Sequence, residues 1–194
     1  MSYIETLLKN LSDSITAKEE LFKDFGGQDI FAKAVDIVVE CYRSGGRLYV
    51  GGNGGSAADS QHLAAEFVSK LGRDRNPLPA EALTTDSSIL TAIGNDYGFD
   101  KIFSRQIAGK VTPNDIFLGI TTSGNSKNII NALDQCKTNG IKSVVFTGRD
   151  GGLVKDKADF CIIVPAERTS TIQELHILLA HTLCECVEDR IFPI

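Results

Sequence analysis

The stretch Arg47-Leu-Tyr-Val-Gly-Gly-Asn-Gly-Gly-Ser56, running on into Ala57-Ala-Asp-Ser-Gln-His-Leu-Ala-Ala-Glu66, decides how this chain is read. Leu48 to Val50 have the character of a short buried strand, and the glycines on either side of Asn53 let the backbone turn sharply and approach a ligand closely. Ser56 is placed to cap a following helix, Ala-rich and free of Gly and Pro until Gly72. The first N–H groups of that helix, with the positive end of its dipole, would face an anion held in the turn. His62 and Glu66 stand four residues apart and so share one helical face. One element thus combines an anion cradle with an imidazole and a carboxylate.

The same order of strand, small-residue loop and helix returns downstream. Ile116 to Ile120 is a continuous apolar strand, Thr121-Thr-Ser-Gly-Asn-Ser126 a second loop, and Lys127 to about Asn139 a helix. Ser143 to Thr147 followed by Gly148-Arg-Asp-Gly-Gly152 repeats the pattern in weaker form. Such repetition predicts an α/β fold, a parallel sheet whose ligand binds beyond the carboxyl ends of the strands. Between the first two units, Gly72 to Pro79 breaks the helix and Ala80 to Leu83 forms another strand. Thr84-Thr-Asp86 is a loop and N-cap, Ser87 to Ile93 a short helix stopped by Gly94, and Asn95-Asp96-Tyr97-Gly98 a polar turn before a helix from about Phe99 to Gly109. A last strand, Phe160 to Val164, precedes a long final helix carrying Ile172, Leu175, Leu179, Leu183 and Val187.

Two amphipathic helices precede the first strand, the earlier one with an apolar stripe at Ile4, Leu7, Leu8, Leu11 and Ile15. A doubly wound unit does not need that helix to complete its sheet. The segment up to about residue 44 is therefore expected to take part in oligomer packing, within a single domain spanning residues 1–194. At 194 residues and 42% hydrophobic, the chain is long enough for one substantial core. The net charge of -5 is spread along the chain, so no basic footprint points to nucleic acid. No apolar run reaches the ~20 residues that span a bilayer, and Glu5 interrupts the N-terminal apolar pattern, so the expectation is a cytoplasmic protein with no membrane partner. The five cysteines lack Cys-x-x-Cys spacing and read as buried, reduced thiols.

Four hydroxyls in the six residues Thr121 to Ser126, at a helix start, are what a phosphate monoester needs when it is held without a metal. Arg73 and Arg75 read as solvated surface residues. Gly52-x-Gly54-x-x-Ala57 also fits a loose dinucleotide fingerprint, but the acidic residue expected about 20 positions on is replaced by a Pro-rich turn, so a nicotinamide cofactor is set aside. Of the three histidines, His62 pairs with Glu66 and His181 with Gln173 at helical spacing, while His176 reads as structural. His62, Glu66, Gln173 and His181 offer a nitrogen- and oxygen-rich metal site for which zinc is the natural candidate; Glu66 and His181 are alternatively proton-transfer groups.

Gly51-Gly-Asn-Gly-Gly-Ser-Ala-Ala-Asp-Ser-Gln-His-Leu-Ala-Ala-Glu66, Ala92-Ile-Gly-Asn-Asp96, Phe103-Ser-Arg-Gln106, Thr121 to Ser126 and Ile172-Gln-Glu-Leu-His176 with His181 together resemble, in order and over nearly the whole chain, the phosphoheptose isomerases. The resemblance implies the sugar-isomerase (SIS, flavodoxin-like) fold, a three-layer sandwich around a five-stranded parallel sheet, and a cytoplasmic homotetramer. With Glu66 roughly 15 Å along a helix from Ser56, the sites are expected near subunit boundaries. It implies interconversion of sedoheptulose 7-phosphate and D-glycero-D-manno-heptose 7-phosphate for surface heptose synthesis. Asn53, Gly54, Gly55 and Ser56, then Asn95 and Asp96, then Thr121, Thr122, Ser123 and Ser126 would contact the phosphorylated seven-carbon sugar, joined by Glu66 and Gln173. His62, Glu66, Gln173 and His181 would hold one zinc per subunit, with Glu66 and His181 as the acid/base residues. Glu81 departs from the family pattern, standing in a strand where an apolar residue is typical. The competing class is a non-catalytic binding protein of the same fold, similar to the replication-initiator-associating relatives; competent side chains at Glu66 and His181 favour the enzyme. Regulators of this fold add a DNA-binding module for which the chain has no room.

Overall fold

The computed structural model describes residues 2–193. Two helices, α1 (Tyr3–Lys23) and α2 (Phe25–Arg43), lead into β1 (Leu48–Gly52) and α3 (Gly55–Val68). Next come β2 (Ala80–Ala82), α4 (Ser87–Tyr97), α5 (Ser104–Lys110), β3 (Ile116–Thr121), α6 (Lys127–Asn139), β4 (Lys142–Thr147), β5 (Phe160–Ile163) and α7 (Thr169–Ile191). All strand pairs are parallel and the sheet order is β2-β1-β3-β4-β5. That is the doubly wound order in which the chain reverses direction between β1 and β3, and a ligand crevice opens there at the carboxyl ends of the strands.

The strands alternate between two cores. Leu48, Val50, Ile116, Leu118, Val144 and Phe146 face a layer built from α2, α3 and α7, whereas Tyr49, Phe117 and Val145 face α5 and α6. Both faces being covered, the strands read as continuous apolar runs. Glu81 stands on the short edge strand β2, where Lys110 (2.8 Å) and Arg47 (3.4 Å) pair with its carboxylate; an edge position tolerates a charge that a central strand would not.

Three local expectations are corrected. Gly94 does not stop the helix: α4 continues to Tyr97 and ends at Gly98, whose φ of 88° an L side chain rarely adopts. The single helix expected over Phe99 to Gly109 is a 3₁₀ turn, Phe99–Lys101, followed by the short α5. The third strand-loop-helix unit closes with only a 3₁₀ turn, Gly152–Asp156.

Helix α1 is amphipathic in an inverted sense. Of its residues only Ser14 and Ala17 are buried, and Ser14 bonds Glu174 of α7 while Arg168 bonds Asn10 and Asp13. Ile4, Leu7, Leu8, Leu11 and Ile15 all point to solvent. Among the described residues, no helix is long and apolar enough to cross a membrane.

Candidate active site

At the carboxyl end of β1, the expected cap is displaced by two residues. Gly54, with φ 55°, is the N-cap of α3, and no side chain bonds the helix terminus. Ser56 lies inside the first turn of the helix and is 3% exposed. The Ser56 and Ala57 N–H groups donate to the Asn53 and Gly54 carbonyls (3.0 Å each), so the Gly55 N–H and the positive end of the helix dipole are what α3 offers an anion. At the carboxyl end of β3 the arrangement repeats: Ser126 is the N-cap of α6, again with no side-chain cap bond. Its hydroxyl is instead 3.1 Å from that of Thr121, and the Ser123 hydroxyl accepts from the Asn125 N–H at 3.2 Å. Asn53 and Asn128 exchange a reciprocal pair of amide hydrogen bonds (2.9 and 2.8 Å), tying the two loops into one crevice with two uncapped helix N-termini. Asn128 carries no motif signal of its own, and only its position in the first turn of α6 could have marked it.

The metal-ligand candidates divide. His62, Glu66 and His181 converge, each offering one donor atom within 4.8 Å of the others. His62 Nε2 lies 3.0 Å from His181 Nε2 and 3.2 Å from a Glu66 carboxylate oxygen. Tetrahedral zinc with bonds of 2.0–2.1 Å sets its donors about 3.3 Å apart, so two imidazole nitrogens and a carboxylate oxygen at these separations suit that ion in both identity and spacing. Gln173 does not join them. Its carboxamide rests against Gly55, where any side chain would collide with it, and its backbone lies about 12 Å up α7 from His181. Gln173 thus belongs here to the glycine-rich loop, and the His62 cluster to the far end of the same α3–α7 seam.

Asn95 and Asp96 sit on the last turn of α4, exposed, with the Asn95 amide donating to Asp96 at 2.7 Å. Thr122 is half-buried at the start of the β3 loop. Asp59 was missed. It stands three residues before His62 and seven before Glu66, hence on their helical face, and its Oδ2 is buried with no protein partner. Burial pushes its carboxyl pKa up, with His62 opposing.

Arg73 and Arg75 do not belong to the anion site, and Arg75 is not a surface residue: its side chain is buried against Glu188 of α7. His176 is indeed internal, and burial pushes its pKa down to about 4.

The SIS domain profile matches residues 12–148. The phosphoheptose isomerase of Aneurinibacillus thermoaerophilus is 48% identical over 191 residues, covering 98% of this chain and 93% of its own. The chain belongs to the phosphoheptose isomerase family. Two solved phosphoheptose isomerase structures superpose over 97% of this chain and all of theirs: that from Neisseria gonorrhoeae at 41% identity with a TM-score of 0.90, and that from Francisella tularensis at 35% identity with a TM-score of 0.93.

Proposed function

We propose that the protein interconverts sedoheptulose 7-phosphate and D-glycero-D-manno-heptose 7-phosphate through an enediol, supplying heptose for surface glycans. The observation that carries this reading is the His62–Glu66–His181 cluster, in which His181 of α7 meets two side chains of α3, the helix whose other end opens the anion crevice. The phosphate is held by the Thr121 to Ser126 loop and the uncapped N-terminus of α6, with Asn53, Gly54 and Gly55 closing the other side and Asn95 and Asp96 meeting the sugar.

A proton beside a carbonyl is weakly acidic, so its removal needs a positioned base and stabilisation of the oxyanion that forms. Glu66 takes a C1 proton from the ketose and returns it to C2, while His181 protonates O2 and removes the proton from O1. His62 orients Glu66 at 3.2 Å. Zinc would be held by the three converged donors of His62, Glu66 and His181, with a sugar oxygen free to complete the set, and when bound it would supply Lewis-acid stabilisation of the oxyanion.

We further propose a cytoplasmic homotetramer whose sites lie near subunit boundaries. Glu66 is about 16 Å along α3 from Gly55, a long reach for one sugar phosphate, and the solvent-facing stripe of α1 calls for a partner surface. Incubating the purified protein with sedoheptulose 7-phosphate and identifying the product tests the activity. Formation of the aldoheptose 7-phosphate supports it; binding of the ketose without turnover would favour the non-catalytic class of this fold.

A further inference from the structure

Helix α3 ends without a C-terminal glycine, and its last carbonyls are taken up by a side chain from the segment that follows. Arg75 Nη1 donates to the carbonyls of Phe67 (2.7 Å), Ser69 (3.2 Å) and Asn76 (3.1 Å), and its Nη2 donates to that of Glu66 itself (2.9 Å). Its Nε donates to Glu188 Oε2 at 2.9 Å, and both side chains are buried, at 2% and 5% exposure. The other Glu188 oxygen accepts from the Arg73 N–H at 3.2 Å, and Arg73 Nη2 reaches the Glu188 carbonyl (3.1 Å) and Asp189 (2.8 Å). Glu188 is seven residues beyond His181, two turns along one face of α7. A single guanidinium therefore joins the backbone of Glu66 to the helix that carries His181.

A buried ion pair is a poor device for stability alone, because desolvation consumes much of the attraction, and a hydrophobic replacement of similar volume is often neutral or better. What a planar guanidinium with five N–H donors supplies is fixed geometry. The far end of α3 is secured independently, through the Asn53–Asn128 bonds at the phosphate crevice. We propose that Arg75, through Glu188, is the positioning residue that sets the register of α3 against α7 and so holds Glu66 opposite His181. This rests on the isomerase reading for its kinetic consequence, but not for its geometric one.

The test uses the purified oligomer of the wild type, Arg75→Lys, and the double variant Arg75→Met/Glu188→Leu, comparing thermal midpoint, kcat, KM and the imidazole NMR signals of the three histidines. Arg75→Lys keeps the charge but not the fork. Misplacing a catalytic group by about 1 Å can lower rates ~100-fold, so kcat should fall roughly 10- to 100-fold while KM stays within about threefold, the phosphate crevice being held from the other side. The His62 and His181 signals should move in Arg75→Lys and that of His176 should not. The double variant should recover the thermal midpoint without recovering kcat. Kinetics that track the midpoint and return in the double variant, or His62 and His181 signals unchanged in both variants, would overturn the proposal. If the wild type itself shows no isomerase activity, the isomerase reading fails, and the imidazole signals alone decide the positioning role.

Discussion

Replacing His176 by phenylalanine should flatten the acid side of the stability profile. The imidazole is 1% exposed beside Phe146, ring centroids 6.3 Å apart, and the Thr147 backbone is near it without forming a full hydrogen bond to either ring nitrogen, opposing only in part the effect of burial. Burial lowers its pKa from 6.5 to about 4. The unfolded chain takes up a proton near pH 6.5 that the folded chain refuses until about pH 4, so the unfolded state binds more protons across that window and stability rises with pH through it. The contribution is complete above pH 6.5 and is lost on acidification. At about 1.4 kcal/mol per pH unit, the wild type gives up ~2 kcal/mol by pH 5 and ~3 kcal/mol by pH 4 on this account. Urea unfolding at pH 7.5 and pH 5.0, at one protein concentration because assembly shifts the midpoint, gives the loss for each protein. Groups that titrate alike in both proteins cancel in the comparison. The loss should be smaller in His176→Phe by about 2 kcal/mol; equal losses in the two proteins would refute the reasoning.

Ser123→Ala/Ser126→Ala should weaken the phosphorylated sugar by at least roughly tenfold in a binding titration, since each hydrogen bond to a charged group is worth about 1.5–3 kcal/mol, while the same sugar without phosphate should be unaffected. Leu8→Asp/Leu11→Asp should lower the mass measured by light scattering, because those side chains already face solvent in the single chain and a charge there disturbs only an interface between copies. Dialysis against a chelator should remove a stoichiometric metal and lower turnover, with zinc restoring both; a chelator-indifferent, metal-free protein would leave Glu66 and His181 as proton-transfer groups alone.

The sheet and the crevice were legible because their signals are local. Apolar strands that end in small-residue loops mark β1 and β3, and the α6 boundaries at Lys127 and Asn139 match the pattern directly. Gly94 misled because a helix absorbs one glycine at a cost of about 1 kcal/mol when a better terminator, Gly98, lies a turn beyond. Ser56 misled because Gly54 can take the left-handed turn that starts α3 earlier. Arg75 was invisible for a different reason: its partner Glu188 is 113 residues away, and nothing in a Pro-rich turn announces a buried guanidinium. His62 and Glu66 announce each other four residues apart, whereas their meeting with His181 exists only once α3 and α7 are packed side by side.

Glu66→Gln tests the central claim most directly. It keeps the size and hydrogen bonding of the side chain while removing the base, and general acid–base groups typically contribute about 10²–10⁴-fold. The measurement is exchange of the C1 proton of sedoheptulose 7-phosphate with deuterated solvent, followed by NMR, alongside binding of the same sugar. The account predicts that the variant binds the sugar normally and that its exchange rate falls by two or more orders of magnitude. Exchange at the wild-type rate would place the base elsewhere and contradict the account.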